Sequence, residues 1–404
     1  MENARVAEMK PGLGLYLLAL MGALGPMTID MYLPVVAAMG EDLNASPTEA
    51  TASVSVILIG LGFGQIVFGP LSDKVGRRPL LVGGLAGTAL GALICLFSPS
   101  IMMLLSGRLL QALGSAAILV TARAAIRDQL DENNSAGFFS IMTTVASLAV
   151  IASPLIGAAM LVSFGWRSIF AVVAALALLI LVPTCLYLPE SHRERDGPRK
   201  KHPLRAYAAL LSNKGFLGFL LCTAANGGAY FAYISLSPLA LMQAYSLSPT
   251  TYGLIMSVNG GALILSTQVN RLLLKRWSAR QLLHFVSIGA LVMAAALACW
   301  AITGVGGVWG LVVLCFVMSC SGGFVQPNGL AAGMSLAQSD LGTAAALFGS
   351  FTFLAGTLVS IVGAMFFDGT ALSMVVLIIV ALLAMGLSLW ALTTRSGLTA
   401  NEAQ

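Results

Sequence analysis

The stretch Thr28-Ile29-Asp30-Met31-Tyr32-Leu33-Pro34 lies near the far end of the first long apolar run of this 404-residue chain. A carboxylate at membrane depth costs roughly 2.5–3.5 kcal/mol on insertion scales, so such residues are rare and face a polar interior or a partner. Asp30 is the only acid well inside an apolar run. Around it the chain is 58% hydrophobic and 9% charged, with a mean hydropathy of +0.91. A soluble domain carries about 25% charged residues, and no soluble core absorbs this much apolar surface. Lipid must do so, and the chain reads as an integral membrane protein. Its apolar runs are twice the length of the alternating segments of about 10 residues that mark an outer-membrane barrel, so the spans are helices.

Twelve spans are expected, over about 12–39, 51–70, 79–97, 101–122, 138–161 and 168–188, then 214–242, 251–273, 281–303, 307–330, 341–366 and 371–393. Basic residues orient them. With the N-terminus in the cytoplasm, nineteen of the twenty-one bases fall on inside segments: Arg5, Lys10, Lys74, Arg77, Arg78, Arg123, Arg127, the linker bases from Arg193 to Arg205, Lys214, Arg271, Lys275, Arg276, Arg280 and Arg395. Only Arg167 lies outside, and Arg108 lies within a span. The expected location is therefore the inner (plasma) membrane, multi-pass, with both termini cytoplasmic. Bases scattered over many membrane edges form no nucleic-acid patch, despite the net charge of +5. Membrane lipid is the expected surrounding, and a monomer the expected state.

The linker Pro189–Pro203 (PESHRERDGPRKKHP) breaks the chain into a six-helix bundle over 1–188, a cytoplasmic connection over 189–213 and a second bundle over 214–404. Weak repetition relates the halves. Lys74-Val75-Gly76-Arg77-Arg78 follows the second span and Arg276-Trp277-Ser278-Ala279-Arg280 the eighth. Duplicated halves with a site between them are a transporter architecture. The expected fold class is thus all-α, with two six-helix bundles related by pseudo-two-fold symmetry.

Enzymatic chemistry finds no support. The six cysteines lie in apolar runs with no Cys-x-x-Cys, reading as small buried hydrophobes. His192 and His202 sit in the charged linker and His284 at a span edge, so no metal site is expected. No phosphate-binding Gly-x-x-x-x-Gly-Lys-Ser/Thr occurs, so ATP does not drive the protein and no cofactor is expected. The N-terminal run is too long for a signal peptide and contains Asp30; it reads as an uncleaved first span.

Depth links Asp30 to Arg108. At about 1.5 Å per residue, Asp30 lies about 26 Å from the start of the first helix and Arg108 about 10 Å inward from the opposite side. Across a core about 30 Å thick their depths differ by only about 6 Å. They are the only formal charges well inside the bundle, with opposite signs. A static ion pair that fixes packing is one reading. A titratable site is the other: burial favours the neutral acid and a nearby cation the carboxylate. Whichever influence a conformational change weakens, Asp30 gains or loses a proton.

The most specific motif is Gly69-Pro70-Leu71-Ser72-Asp73-Lys74-Val75-Gly76-Arg77-Arg78-Pro79, where Gly69-Pro70 is expected to make a tight turn. Here the sequence resembles the major facilitator superfamily, and within it the drug:proton antiporters of the bicyclomycin and chloramphenicol resistance type. Asp30-Met31-Tyr32-Leu33-Pro34 resembles their first-helix signature and Gly69 to Arg78 their loop between helices two and three. Arg108-Leu109-Leu110-Gln111-Ala112-Leu113-Gly114 resembles their fourth-helix signature, with Ala112 where glycine is common. Ala152-Ser153-Pro154-Leu155-Ile156-Gly157 keeps part of their fifth-helix antiporter signature, with Ser153 where glycine usually precedes the proline. The resemblance implies a proton carrier at Asp30, its regulator at Arg108, and a latch of Asp73 and Arg77 with Arg78, joined by Asp128. Asp73 is expected near the start of the eleventh helix, whose dipole would favour its charge.

Substrate candidates are Asp30, Tyr32, Asn226, Tyr230, Tyr233, Asn259, Phe324 and Asn328, with Gln326 beside them. Aromatic walls with few polar groups suit small amphipathic compounds, mostly neutral or weakly cationic. Gly342, Gly349, Gly356 and Gly363 recur every seven residues, leaving one face of the eleventh helix bare for a neighbour, as do Gly60, Gly62 and Gly64 in the second. The reading is a proton-coupled multidrug exporter working by alternating access and conferring antibiotic resistance. A proton symporter importing or exchanging a small metabolite uses the same parts. A channel is disfavoured by the single charge pair, and a membrane sensor or enzyme by the lack of any output domain or catalytic cluster. Topology is testable. Alkaline phosphatase fused at Gly165 is expected to be active, and a fluorescent protein fused after Gln404 to fluoresce; the reverse pattern overturns the orientation.

Overall fold

The computed structural model describes residues 13–130, 132–191, 203–337 and 341–393. Most of the linker with its bases and histidines, and the bases near either end of the chain, lie outside the described residues. Twelve long helical segments follow in order. The first, α1, is in pieces: helices Leu13–Met21 and Leu24–Asp30, a 3-10 turn Leu33–Val35 and helix Val36–Asp42. Then come α2 (Pro47–Val75), α3 (Arg77–Leu96), α4 (Ile101–Gln129), α5 (Glu132–Phe164) and α6 (Arg167–Tyr187). A short helix, Pro203–Ser212, precedes α7 (Lys214–Ser237), which continues as a π-helical turn Pro238–Ala244. The last are α8 (Pro249–Leu273), α9 (Ala279–Thr303), α10 (Gly307–Met334), α11 (Leu341–Met365) and α12 (Leu372–Thr393).

Eleven of these are long and apolar enough to cross a membrane; α8 alone among the twelve falls short. The end of the bundle where α1 begins is here the near face, and the opposite end the far face. Helix starts are signalled locally. Ser46 caps α2 reciprocally with Glu49, Ser278 caps α9 with Gln281, and Ser248 caps α8. Side-chain oxygens there take backbone N–H groups that no helical carbonyl can reach. Ser46-Pro47-Thr48 and Ser248-Pro249-Thr250 open the second helix of each half identically, a further trace of duplication.

Helices α1–α6 pack on one another and α7–α12 likewise, and the two groups meet along α2 with α11 and α5 with α8. Adding six to the helix numbers of one interface generates the other, as a two-fold relation requires. At the far face the last piece of α1 meets the turn Pro238–Ala244. Two hydrogen bonds cross there between the groups: Ser55 Oγ with Ser360 Oγ at 2.7 Å, and Thr48 Oγ1 donating to the Ala364 carbonyl at 3.1 Å.

Small residues set these approaches. A Cβ on Gly60 or Gly64 would overlap Ala112 or Ala116 of α4, while one on Gly62 would meet Leu354 of α11. The four α11 glycines do not share one neighbour, as their spacing suggested. Gly349 admits Gln65 of α2, Gly356 and Gly363 admit Phe231 and Leu236 of α7, and Gly342 faces open space.

The expected turn at Gly69-Pro70 is corrected. Helix α2 runs through Pro70 to Val75, and the chain reverses at Gly76, with φ +103°. Pro70 cannot donate to the Ile66 carbonyl four residues back; the Tyr207 hydroxyl, on the short helix before α7, donates to it at 3.4 Å instead.

Close packing of α3 on α4 gives a stability test. A Cβ at Gly91 would lie 2.5 Å from the Gln111 amide nitrogen and 2.6 Å from the Gly107 carbonyl oxygen, both backbone, whereas Gly83 has open space. Gly91→Ala is expected to destabilise by about 1–3 kcal/mol and lower the melting temperature in detergent, with Gly83→Ala neutral or stabilising. Equal melting temperatures would refute this packing.

Candidate functional site

Two prolines place the site. Pro26 and Pro34 lack the N–H groups that would bond the carbonyls of Gly22 and Asp30, four residues earlier. Helix α1 breaks after each of those positions. Bonds of 3-10 type take over there, among them Gly22 N–H to the Ala19 carbonyl at 3.0 Å and Tyr32 N–H to the Ile29 carbonyl at 3.2 Å. The second break frees backbone carbonyls beside Asp30. Arg108 on α4 takes one of them, its Nη1 donating to the Thr28 carbonyl at 2.9 Å and to Gln111 Oε1 at 2.9 Å. Its Nε donates to the Ser53 carbonyl of α2 at 3.4 Å, and its guanidinium lies 4.0 Å above the Tyr32 ring. The Tyr32 hydroxyl in turn donates to Ser53 Oγ at 2.7 Å. Arg108 Nη2 and Gln111 Nε2 are buried donors without a partner.

Asp30 and Arg108 do not form an ion pair. Among the described residues no ion pair or hydrogen bond reaches the Asp30 carboxylate, although the residue is only 9% exposed. Its electrostatic neighbours are the hydroxyls of Tyr230 on α7 and Tyr252 on α8, both in the other bundle. Helix α5 closes the site from the side. A Cβ on Gly157 would overlap the Met31 carbonyl oxygen at the break, so only glycine lets α5 pack there. One turn away, the Pro154 carbonyl meets Gly253 of α8.

The remaining substrate candidates divide. Tyr233 is buried on α7 and accepts a hydrogen bond from Asn259 Nδ2 of α8 at 3.0 Å, leaving Asn259 Oδ1 without a partner. Tyr230 is half-buried, edge to face with Phe231 at 5.5 Å. Asn226 Nδ2 donates to Ser321 Oγ of α10 at 2.7 Å, and its Oδ1 is unpartnered. Phe324 is half-buried on α10. Asn328 is drawn away: its amide exchanges hydrogen bonds with the Asn270 amide of α8, at 2.7 and 3.4 Å, which fastens α10 to α8. Tyr32 is likewise occupied, as the floor under Arg108.

The near-face cluster assembles as the motif suggested, with one member the sequence did not reveal. Arg77 pairs with Asp73 at 2.7 Å and with Asp128 of α4 at 2.8 Å, and bonds Ser72 Oγ. Glu190, just past α6, accepts from the backbone N–H groups of Arg77 at 2.9 Å and Arg78 at 3.1 Å. Those groups have no helical acceptor at the start of α3, where the dipole also favours an anion. The side chain of Arg78 donates to the Cys185 carbonyl of α6. Glu190 sits in a run of alternating charges, which reads as a solvated hinge, so nothing local marked it. Residues 338–340, which lead into α11 where Asp73 was expected, lie outside the described residues.

This geometry can be set beside known proteins. YdgK of Bacillus subtilis (strain 168), named an uncharacterized MFS-type transporter, is 30% identical over 349 residues, 85% of this chain and 87% of that protein. The multidrug resistance protein MdtL of Salmonella typhi is 28% identical over 324 residues, 79% of this chain and 81% of MdtL. An inward-facing, occupied bacterial homologue of the human lysosomal transporter Spinster aligns with a TM-score of 0.75 at 14% identity, over 95% of this chain and 97% of that one. A D-xylose–proton symporter aligns with a TM-score of 0.72 at 16% identity, over 92% and 96%. At those identities the two structures speak for the fold alone. Residues 18–360 match the Major Facilitator Superfamily profile, and this multi-pass membrane protein belongs to that superfamily of transporters of small molecules.

Proposed function

We propose that this protein is a proton-coupled antiporter of the bicyclomycin and chloramphenicol resistance type, exporting small amphipathic organic compounds. One observation carries the reading. The Asp30 carboxylate sits at a helix break between the bundles, nearly buried, with no ion pair or hydrogen bond among the described residues. An acid held by no fixed partner is free to trade a proton for a substrate donor. The resistance-protein relative supports export as the direction.

With the near face in the cytoplasm of a plasma-membrane protein, the Ser55–Ser360 and Thr48–Ala364 contacts towards the far face support an inward-facing form. Asp30 would take a proton when the site opens outward and lose it as substrate binds from inside. A bundle over 1–188 and one over 214–404, joined by 189–213, would rock about the α2–α11 and α5–α8 seams, driven by the proton gradient. Arg108 would hold the broken strand of α1 in register while Asp30 titrates. Asn226, Tyr230, Tyr233, Asn259 and Phe324 would face the cargo. Asp73, Arg77, Arg78 and Asp128 would lock the near ends of α2–α4 into the surface that closes against the second bundle.

Asp30→Asn is expected to abolish efflux driven by a pH gradient in proteoliposomes, by more than about tenfold, with an unchanged melting temperature; undiminished efflux sinks the proposal. Adding substrate to detergent-solubilised protein is expected to release protons, and proton uptake would favour symport. Arg77→Gln removes the cation that Asp73 and Asp128 share. With Asp73 partly exposed, the expected loss is about 2 kcal/mol of stability, together with slower transport that Arg77→Lys partly restores.

A further inference from the structure

Below the level where Gly260 of α8 packs on Val150 of α5, the two bundles enclose a cavity of about 270 Å³ towards the near face. Its walls come from both bundles. Leu119 and Arg123 of α4 and Phe139, Met142 and Ser147 of α5 face Leu263, Thr267 and Gln268 of α8. The lining holds one cation and no acid. Arg123 is solvent-accessible, and among the described residues no carboxylate lies within ion-pair distance of it. This distinguishes it from Arg77 and Arg167, which are paired with Asp73 and Asp128 and with Asp42. Nor is it a base reaching out from a helix end to bulk water. It opens into a chamber whose other polar groups are Thr143, Ser147 and Gln268, able to donate, and Thr267, whose hydroxyl donates to the Leu263 carbonyl at 2.8 Å.

We infer that this chamber is a binding subsite for small aromatic or alicyclic organic acids, with Arg123 taking the carboxylate and the apolar walls taking the ring. A planar guanidinium recognises a carboxylate through two parallel hydrogen bonds. In a chamber with no competing acid, that contact is the only charge complement offered. Leu119, Phe139, Met142, Val150, Leu263 and Ile264 supply an apolar surface for a ring-sized body. The inference rests on the transport reading only for the subsite's purpose, as a station on the path between the near face and Asp30. It extends the substrate range from neutral and weakly cationic compounds to monoanions.

The test measures equilibrium binding, which Asp30-coupled transport does not enter. The full chain in phosphatidylcholine nanodiscs is titrated by calorimetry with 2-naphthoate and with its uncharged counterpart 2-naphthamide. Naphthoate is expected to bind at least about tenfold more tightly, an advantage that weakens with salt. Arg123→Gln is expected to remove the advantage while leaving naphthamide binding unchanged, and Arg123→Lys to keep part of it. Equal binding of the two compounds by the wild type, or an advantage that survives in Arg123→Gln, overturns the inference. Phosphatidylglycerol nanodiscs separate the other source of an anion. If that lipid displaces naphthoate from the wild type, the chamber belongs to a lipid headgroup and the organic-acid assignment fails. Asp30→Asn is expected to retain the preference for naphthoate, so the proton-coupling proposal and this one can fail separately.

Discussion

Everything at the centre of this molecule depends on how a buried guanidinium is held without a carboxylate, with its Nη1 and Nε bonded and its Nη2 left over. Arg108 is 1% exposed, and a cation buried so deeply must find acceptors or carry a large desolvation cost. The break in α1 supplies them. Pro34 removes a helical donor, the helix loosens after Asp30, and the Thr28 carbonyl turns to Arg108. The Ser53 carbonyl, Gln111 and the Tyr32 ring complete the cage, so three helices of the first bundle are pinned by one side chain. Because backbone carbonyls, an amide and a π face do this work, Asp30 is not consumed by it. A direct Asp30–Arg108 pair would have been the static arrangement. Keeping the two charges apart leaves the acid available.

The seams between the bundles follow a complementary rule. All three ion pairs among the described residues lie within the first bundle. What crosses between bundles is close backbone approach at Gly62, Gly253, Gly260 and Gly349, with the Ser55–Ser360 and Thr48–Ala364 hydrogen bonds. Dispersion at small residues holds helices together in lipid without a strong directional contact to break. Parting such a seam costs little per residue. Parting Arg77 from Asp73 and Asp128 would cost much more, and that cluster lies where the helices of one bundle must stay together.

Much of this was legible in the sequence because lipid simplifies the code. Helices stand at all twelve expected spans, eleven of them long and apolar enough to cross a membrane and most with boundaries within a few residues; Asp30 and Arg108 stood out as charges where charge is costly, and the Asp73–Arg77 cluster by its motif. What was illegible depended on tertiary partners. Pro70 looked like a turn because the donor that compensates it, Tyr207, lies 137 residues away in sequence. Asn328 looked available because an asparagine on a lining helix has the same local signature whether it meets cargo or Asn270. Glu190 looked solvated because its partners are two backbone N–H groups more than a hundred residues upstream. In each case the deciding group was a hydrogen-bond partner that no local pattern can announce.

The same logic accounts for α8, the one long helix too polar to count as a span by hydropathy. Several of its polar side chains turn towards other helices: Asn259 to Tyr233, Asn270 to Asn328, Ser266 beside Gly323, and Thr267 and Gln268 to the chamber opposite Arg123. A helix can carry that load only if its neighbours cover it, and α8 has α5 on one side and α10 on another. Peripheral α9 and α12 are lined mostly with Leu, Ile, Val and Ala, and their few polar side chains stay within the pair or on their own backbone, as where Trp390 of α12 donates to Ser287 Oγ of α9 at 3.3 Å. Low hydropathy in this helix is therefore positional information: its polar residues mark the sides that face α5, α7 and α10.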